Sequence, residues 1–204
     1  MYTAEAASSG AGKERRPGCV VMAAGAASRF GSNKLLAPLY GKPLYQYLFD
    51  TLPEAAFARI VVVSGTQEIL RDAENRGFIP VVNVQPEEGA ALTIRLGLRH
   101  VLDLPACLFC VCDQPGLKRE TVEYLCRGPA DKICAASYAG VRGNPVLFPA
   151  SFYNELMTLD AGESGSAVIR RHPDQVLLIP CADAAEMKDV DTRQDLQQLS
   201  RRFP

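Results

Sequence analysis

This 204-residue chain lacks an excess charge of either sign, long hydrophobic runs, and all but two histidines. Its 22 Lys and Arg oppose 23 Asp and Glu, for a formal net charge of -1. So even a balance excludes coating nucleic acid or an anionic membrane by bulk charge, and any bound anion must be held by a local site. The longest apolar stretch, Cys19 to Ala27, falls far short of the ~20 residues of a membrane span and contains Gly25. The opening residues MYTAEAASSGAGKERRPG set charge ahead of that run as a secretory signal does, yet no short apolar core ends in a cleavage site. The expectation is a disordered leader over 1–17 and one domain over 18–204, in the cytoplasm, with neither nucleic acid nor membrane as partner. The seven cysteines are odd in number and sit mostly in strand-like runs, which argues for reduced thiols.

Hydrophobic residues make up 48% of the chain and charged residues 22%, the balance of a soluble globular protein. Apolar β-rich runs alternate with helical patterns. Strands are expected over 19–23, 60–63, 79–84 and 107–111, the third at an edge because of Pro80. Helices are expected over 44–52 behind Pro43, over 67–76 closed by Gly77, and over 91–100, where Gly97 weakens the pattern. Continuous apolar strands between helices mark a mostly parallel sheet covered on both faces. Beyond Asp113 the pattern loosens into helices over 119–126, 151–158, 164–171 and 194–200 and strands over 133–138, 145–148 and 176–179.

Open α/β sheets bind ligands outside the carboxyl ends of their strands. Two segments fall there. Ala23-Ala24-Gly25-Ala26-Ala27-Ser28-Arg29-Phe30-Gly31-Ser32-Asn33-Lys34 follows the first strand. Its small residues let backbone N–H groups approach an anion, and Arg29 and Lys34 add charge that suits a triphosphate. Lys34 stands three residues after Gly31 rather than directly after it, so this is not a Walker A loop, and no GxGxxG is present. A plain strand-to-helix connection fits the same loop. Asp113, in Cys112-Asp113-Gln114-Pro115, ends an apolar strand, where a carboxylate suits Mg²⁺ or simply opens a turn before Pro115. In Lys188-Asp189-Val190-Asp191-Thr192, extended backbone points Asp189 and Asp191 to one side. One of them completes a metal site with Asp113, or Asp191 or Thr192 caps the last helix with Asp195 in its first turn. Cys107, Cys110 and Cys112 read as buried packing residues. Charged loop residues such as Lys118, Arg119 and Arg142 fit either the binding of a phosphate or plain solvation.

The run VVMAAGAASRFGSNKLLAPLYGKPL resembles the signature of the MobA-like nucleotidyltransferases, and within them the molybdenum cofactor cytidylyltransferases. Gly25, Ser28, Arg29, Gly31 and Lys34 fit it, with one extra small residue ahead of Ser28. Gly89 to Arg95, Asp113-Gln114-Pro115, Gly143 to Phe148, Gly162 to Gly165 and Asp189 to Leu196 resemble further family segments in the same order. The resemblance covers residues 18 to about 200. It implies a Rossmann-like three-layer α/β nucleotidyltransferase fold and attack of an acceptor phosphate on the α-phosphate of an NTP. Under it Arg29, Lys34 and Asp113 are catalytic. Ala23, Ala24, Gly25, Ser28, Arg29, Gly31, Lys34, Gly89, Thr93 and Asp113 bind the nucleotide. Gln114, Pro115 and Asn144 bind the acceptor, and Asp113 and Asp191 hold Mg²⁺. The pair Ala23-Ala24 resembles CTP-using members, since guanylyltransferases more often carry Ala-Gly-Gly there. The implied partners are CTP, a molybdopterin-type phosphate acceptor, and a molybdenum hydroxylase apoenzyme that receives the product. GTP, a sugar or alcohol phosphate acceptor, and a non-catalytic cofactor carrier are the alternatives.

Overall fold

The computed structural model describes residues 15–24 and 33–200. The leader expected over 1–17 lies outside the described residues except for 15–17, where Pro17 is buried and its carbonyl accepts from the Ala58 N–H at 2.9 Å. In chain order the strands are β1 (Gly18–Met22), β2 (Pro38–Leu39), β3 (Lys42–Pro43), β4 (Arg59–Ser64), β5 (Ile79–Val82), β6 (Ala106–Val111), β7 (Ile133–Tyr138), β8 (Val141–Pro149) and β9 (Val176–Pro180). The helices are α1 (Leu44–Thr51), α2 (Gln67–Asn75), α3 (Ala90–Leu98), α4 (Arg119–Cys126), α5 (Tyr153–Met157), α6 (Gly165–Arg171) and α7 (Arg193–Ser200). Among the described residues β2 and β3 pair as a small ribbon, and the other strands form one sheet in the order β5-β4-β1-β6-β8-β7-β9.

Strands β5, β4, β1 and β6 run parallel, β8 runs antiparallel to β6 and β7, and β9 returns parallel to β7. Alternation along each strand builds two cores. Cys19, Val21, Ile60, Val62, Leu108 and Cys110 face α1, α2, α4 and α7. Val20, Val61, Val63, Cys107 and Phe109 face α3, α5 and α6. The three-layer α/β architecture expected from the sequence is therefore present. Two expectations need correction. The strand expected over 145–148 runs from Val141 to Pro149, because β7 and β8 form a hairpin turned by Ala139 and Gly140 at φ 49° and 80°. The helix expected over 151–158 is a 3-10 turn at Ala150–Phe152 followed by the short α5.

Gly97 weakens the helical pattern of α3 for a reason the structure supplies. A Cβ there would stand 2.4 Å from Val20 Cγ1 and 3.1 Å from Val63 Cγ2, so the helix lies directly on β1 and β4. Gly97→Ala is expected to cost about 1–3 kcal/mol by overpacking, despite a helix-propensity gain of about 1 kcal/mol. Calorimetric unfolding checks this; an unchanged melting temperature would mean that α3 can lift off the sheet. All seven cysteines are free thiols, six of them buried. Burial pushes the Cys126 thiol up to about 12. Among the described residues no helix is long and apolar enough to cross a membrane.

Candidate active site

The chain runs from β1 outward to β4 and β5, then crosses back to β6 on the other side of β1. Connections leaving β1 and β6 diverge, so a crevice opens above their carboxyl ends. A cavity of about 390 Å³ lies there, walled by Met22 and Ala24 after β1, Val111, Cys112 and Asp113 after β6, and the loop from Pro86 into α3. Gly89, Ala90 and Thr93 belong to that last wall.

Lys34 enters the cavity from a 3-10 turn, Lys34–Leu36. Asn33 sets that turn: its Oδ1 accepts from the Leu35 N–H at 3.1 Å and its Nδ2 donates to Thr66 Oγ1 at 2.7 Å. Leu35 is buried in the core beneath, which leaves Lys34 facing the crevice. Its ammonium lies 2.8 Å from Asp113 Oδ2 and 3.0 Å from Asp191 Oδ1. Burial alone would depress its pKa, but the hydrogen bonds and charges of Asp113 and Asp191 outweigh burial and hold it above the ordinary lysine value.

Asp191 reaches the site because residues 188–191 dock on the end of β6. The Val190 N–H donates to the Asp113 carbonyl at 2.8 Å, and the Val190 side chain is fully buried. Asp189 and Asp191 thus both face away from the core, as extended backbone requires. They take different tasks. Asp189 Oδ1 accepts from Gln114 Nε2 at 2.8 Å, while Asp191 shares Lys34 with Asp113. Burial, aided by the charges of Asp113 and Asp191, pushes the Asp189 carboxyl above the usual range. Helix capping falls to Thr192 and Asp195: the Thr192 N–H donates to Asp195 Oδ2 at 2.8 Å, and the Asp195 N–H donates to Thr192 Oγ1 at 3.1 Å. The capping reading of this segment therefore holds on Thr192 and Asp195, while Asp189 and Asp191 meet Gln114 and Lys34.

Asp113 Oδ1 is buried and has no hydrogen-bond partner among the described residues. An orphaned carboxylate oxygen beside a second carboxylate fits a hard cation that takes one or two carboxylates and completes its shell with phosphate oxygens and water. Among the described residues no group of three or more His, Cys, Asp and Glu is arranged to hold a metal. Asp113 and Asp191 are the two carboxylates that share Lys34 at this cavity, and a divalent cation beside them would need further oxygens from elsewhere.

A sequence profile describing the MobA-like NTP transferase domain matches residues 19–176. The chain belongs to this family. Molybdenum cofactor guanylyltransferase of Yersinia pestis (strain Pestoides F) is 28% identical to this MobA-like chain over 131 residues, 63% of the chain and 65% of that protein. The match thus spans just under two thirds of the curated relative. The crystal structure of Rv0371c from Mycobacterium tuberculosis H37Rv superposes with a TM-score of 0.75 at 25% identity, over 91% of this chain and 98% of that one. A structure of the same protein in complex with manganese gives a TM-score of 0.74 at 24% identity, over 91% of this chain and 98% of that one. A nucleotidyl transferase from Methanothermobacter thermautotroptrophicus shares the fold, with a TM-score of 0.80 at 17% identity over 93% of this chain and 98% of that one.

The MobA-like fold brings Ala24, Lys34, Gly89, Thr93 and Asp113 to one cavity, with Asp191 on Lys34. Ala23 faces the opposite core; its carbonyl accepts from Ser64 Oγ at 2.9 Å. Gly25, Ser28, Arg29 and Gly31 lie outside the described residues. Asn144 lines a second cavity that shares Met22, Ala90 and Val111 with the first. Gln114 and Pro115 line neither. Gln114 is buried against Asp189, and Pro115 borders an apolar depression with Tyr40, Tyr47 and Leu199.

Sequence reasoning missed Asn33, Asn83 and Glu186. Asn83 is almost fully buried at the end of β5. Its Nδ2 donates to Thr93 Oγ1 at 3.2 Å and its Oδ1 accepts from the Gln85 N–H at 2.9 Å, pinning the loop that walls the cavity. An Asn between an apolar strand and Pro86 is the signal that could have found it. Glu186 stands three residues after the cap residue Asp183, a local signal for a helical start, but its partners Thr121 and the Lys118 N–H come from a distant segment.

Proposed function

We propose that this protein transfers the nucleotidyl group of CTP to the phosphate of a molybdopterin-type acceptor and releases pyrophosphate, with Mg²⁺ as the required cation. The observation that carries this reading is Lys34 held between Asp113 and Asp191 at the crevice between β1 and β6. An acceptor phosphate oxygen forms the new bond to the α-phosphorus. The bond from that phosphorus to the bridging oxygen breaks, and its electron pair leaves with pyrophosphate. Such chemistry asks a protein for alignment and charge neutralisation, not a covalent intermediate.

Asp113 and Asp191 would hold Mg²⁺, which when bound neutralises and aligns phosphate oxygens. Lys34 supplies a fixed cation where charge develops on the leaving group. The loop from Pro86 to Ala90 and the backbone at Ala24 line the nucleotide's place. The family resemblance adds Arg29 as a second cation at the triphosphate. It also assigns the product to a molybdenum hydroxylase apoenzyme.

CTP rests on the Ala23-Ala24-Gly25 opening of the loop. GTP is the second reading, favoured by the curated relative's name, molybdenum cofactor guanylyltransferase. Calorimetric titration of CTP, GTP, ATP and UTP with Mg²⁺ separates them. Binding of CTP at least tenfold tighter than GTP is the expected result. Preference for GTP would replace the base and keep the reaction class. Absence of binding by any nucleotide would sink the transfer reading in favour of a cofactor carrier.

A further inference from the structure

The turn between β5 and α3 carries two glutamates, and they meet different surroundings. Glu88 faces Arg95 of α3, with Oε2 3.7 Å from Nη2. Glu87 lines the cavity of about 390 Å³ instead. Among the described residues no hydrogen bond or ion pair engages its carboxylate.

This turn is pinned at both ends. Pro86–Glu88 is one turn of 3-10 helix, in which the Glu88 N–H donates to the Gln85 carbonyl at 3.1 Å and the Gly89 N–H to the Pro86 carbonyl at 3.1 Å. Ahead of it, the Gln85 N–H donates to Oδ1 of the buried Asn83 at 2.9 Å. Behind it, Thr93 Oγ1 donates to the Gly89 carbonyl at 3.3 Å and accepts from Asn83 Nδ2 at 3.2 Å. Gly89 holds φ 78°, a left-handed value that glycine takes without strain as the chain enters α3. Asn83 and Thr93 thus hold both anchors of the turn, and the backbone of Glu87 is placed without help from its own side chain.

Charge decides which part of a nucleotide meets this turn. β5 and β6 lie on opposite sides of β1, so the turn after β5 and Asp113 after β6 reach the cavity from opposite flanks, with Lys34 beside Asp113. A triphosphate is drawn to the Lys34 ammonium and repelled by a carboxylate that has no counter-ion. A nucleotide with its phosphates at Lys34 therefore brings its nucleoside to the turn. An ionised carboxylate only accepts hydrogen bonds, so it selects a base edge that donates. The amino group on C4 of cytosine donates, and Glu and Asp are its fitting partners, whereas uracil carries a carbonyl oxygen at that position.

We propose that Glu87 accepts a hydrogen bond from the C4 amino group of cytosine and by that contact rejects uracil, which makes it a specificity-determining residue of the cavity. The inference rests on the nucleotidyl-transfer reading and deepens it. The Ala23-Ala24-Gly25 opening bears on cytosine against guanine; Glu87 bears on cytosine against uracil. Pro86, half-buried on the same wall, gives the flat base an apolar neighbour.

Calorimetric titration of the full chain with CTP and with UTP, each with Mg²⁺, tests this. The wild type is expected to bind CTP about tenfold tighter than UTP, the scale of one hydrogen bond to a charged group. Glu87→Gln is expected to bring the ratio down to about two, chiefly by tightening UTP, because an amide can turn its N–H groups to the C4 carbonyl. Glu87→Asp, which keeps the carboxylate, is expected to keep CTP ahead. Melting temperatures are expected to match the wild type, since the side chain is exposed. A merely structural role would weaken both nucleotides alike and leave their ratio where it was.

A ratio that Glu87→Gln leaves unchanged would overturn the assignment. So would a wild type that binds CTP and UTP equally. Either result leaves the transfer reading standing, because Lys34 and Asp113 act on phosphate whatever the base. A preference for cytidine over uridine that depends on Glu87, in a protein that takes neither triphosphate, would keep the base contact and sink the transfer reading instead.

Discussion

Asp113→Ala is expected to lower turnover by about 10²–10³-fold while the melting temperature stays within about 3 °C of the wild type. The two halves of this expectation have different causes. Asp113 is the carboxylate nearest the ammonium of Lys34 among the described residues, at 2.8 Å, and under the proposed function it is one of the two carboxylates that would hold the divalent cation. Without it, Lys34 keeps, among the described residues, only Asp191 as an ion-pair partner, whose side chain is 55% exposed. The ammonium then loses a fixed position, and a cation free to swing no longer sits where charge develops on the leaving group.

Stability changes little because two effects oppose. The ion pair with Lys34 is lost, yet the buried Oδ1, which has no partner among the described residues, is removed with it. A buried unsatisfied oxygen costs about 1–3 kcal/mol, which offsets the loss. Pyrophosphate release and differential scanning calorimetry on the same preparation test both halves. Turnover near the wild-type rate would remove Asp113 from the machinery. A melting temperature down by about 10 °C or more would show the residue to be structural.

The larger effect on folding belongs to Glu186, which is fully buried. Its Oε2 accepts from Thr121 Oγ1 at 2.5 Å and from the Lys118 N–H at 3.2 Å, and its Oε1 accepts from the Ala182 N–H at 3.0 Å. One carboxylate thus ties the start of α4 to the turn Ala184–Met187. That turn also presses on the loop after β6: a Cβ on Gly116 would stand 2.4 Å from the Ala185 carbonyl oxygen.

Glu186→Ala would leave three donors without partners in a closed space. Hydrogen bonds to a charged group are worth about 1.5–3 kcal/mol each, and relief of the buried charge returns part of that. A net loss of about 3–5 kcal/mol is expected, seen as a melting temperature lower by about 10 °C. Activity is expected to fall about tenfold or more at temperatures where the variant is still folded, because residues 188–191 carry Asp191 from this turn to Lys34. Asp183→Ala is the control. Asp183 is exposed and caps the same turn through the Ala185 N–H at 2.9 Å, so its loss is expected to cost about 1 kcal/mol. Equal stability of the two variants would contradict the anchoring role of Glu186.

The parallel half of the fold was legible in the chain because its signals are local. Apolar runs at 60–63 and 107–111, the Pro43 start and the Gly77 stop each report on a few neighbouring residues, and the elements fall within a residue or two of expectation. The antiparallel half was less so. Residues 141–144 read as loop because their strand character comes from pairing with β7 across a turn whose left-handed Ala139 gives no composition signal. The short α5 is held by its packing on α3 more than by its own periodicity.

The candidate site divides the same way. Asp113 stood out by ending an apolar strand, and Lys34 by its place in a small-residue loop. The sequence by itself determined the layer order, the place of the crevice after β1 and β6, and Lys34 and Asp113 beside it, since strand periodicity and strand ends are properties of contiguous residues. Only the tertiary structure decided the division of labour between Asp189 and Asp191, the separation of Gln114 and Pro115 from both cavities, and the seating of Asn83 and Glu186. Those outcomes depend on which distant groups compete for each polar atom, and that competition is settled when the sheet closes and the chain packs back on it.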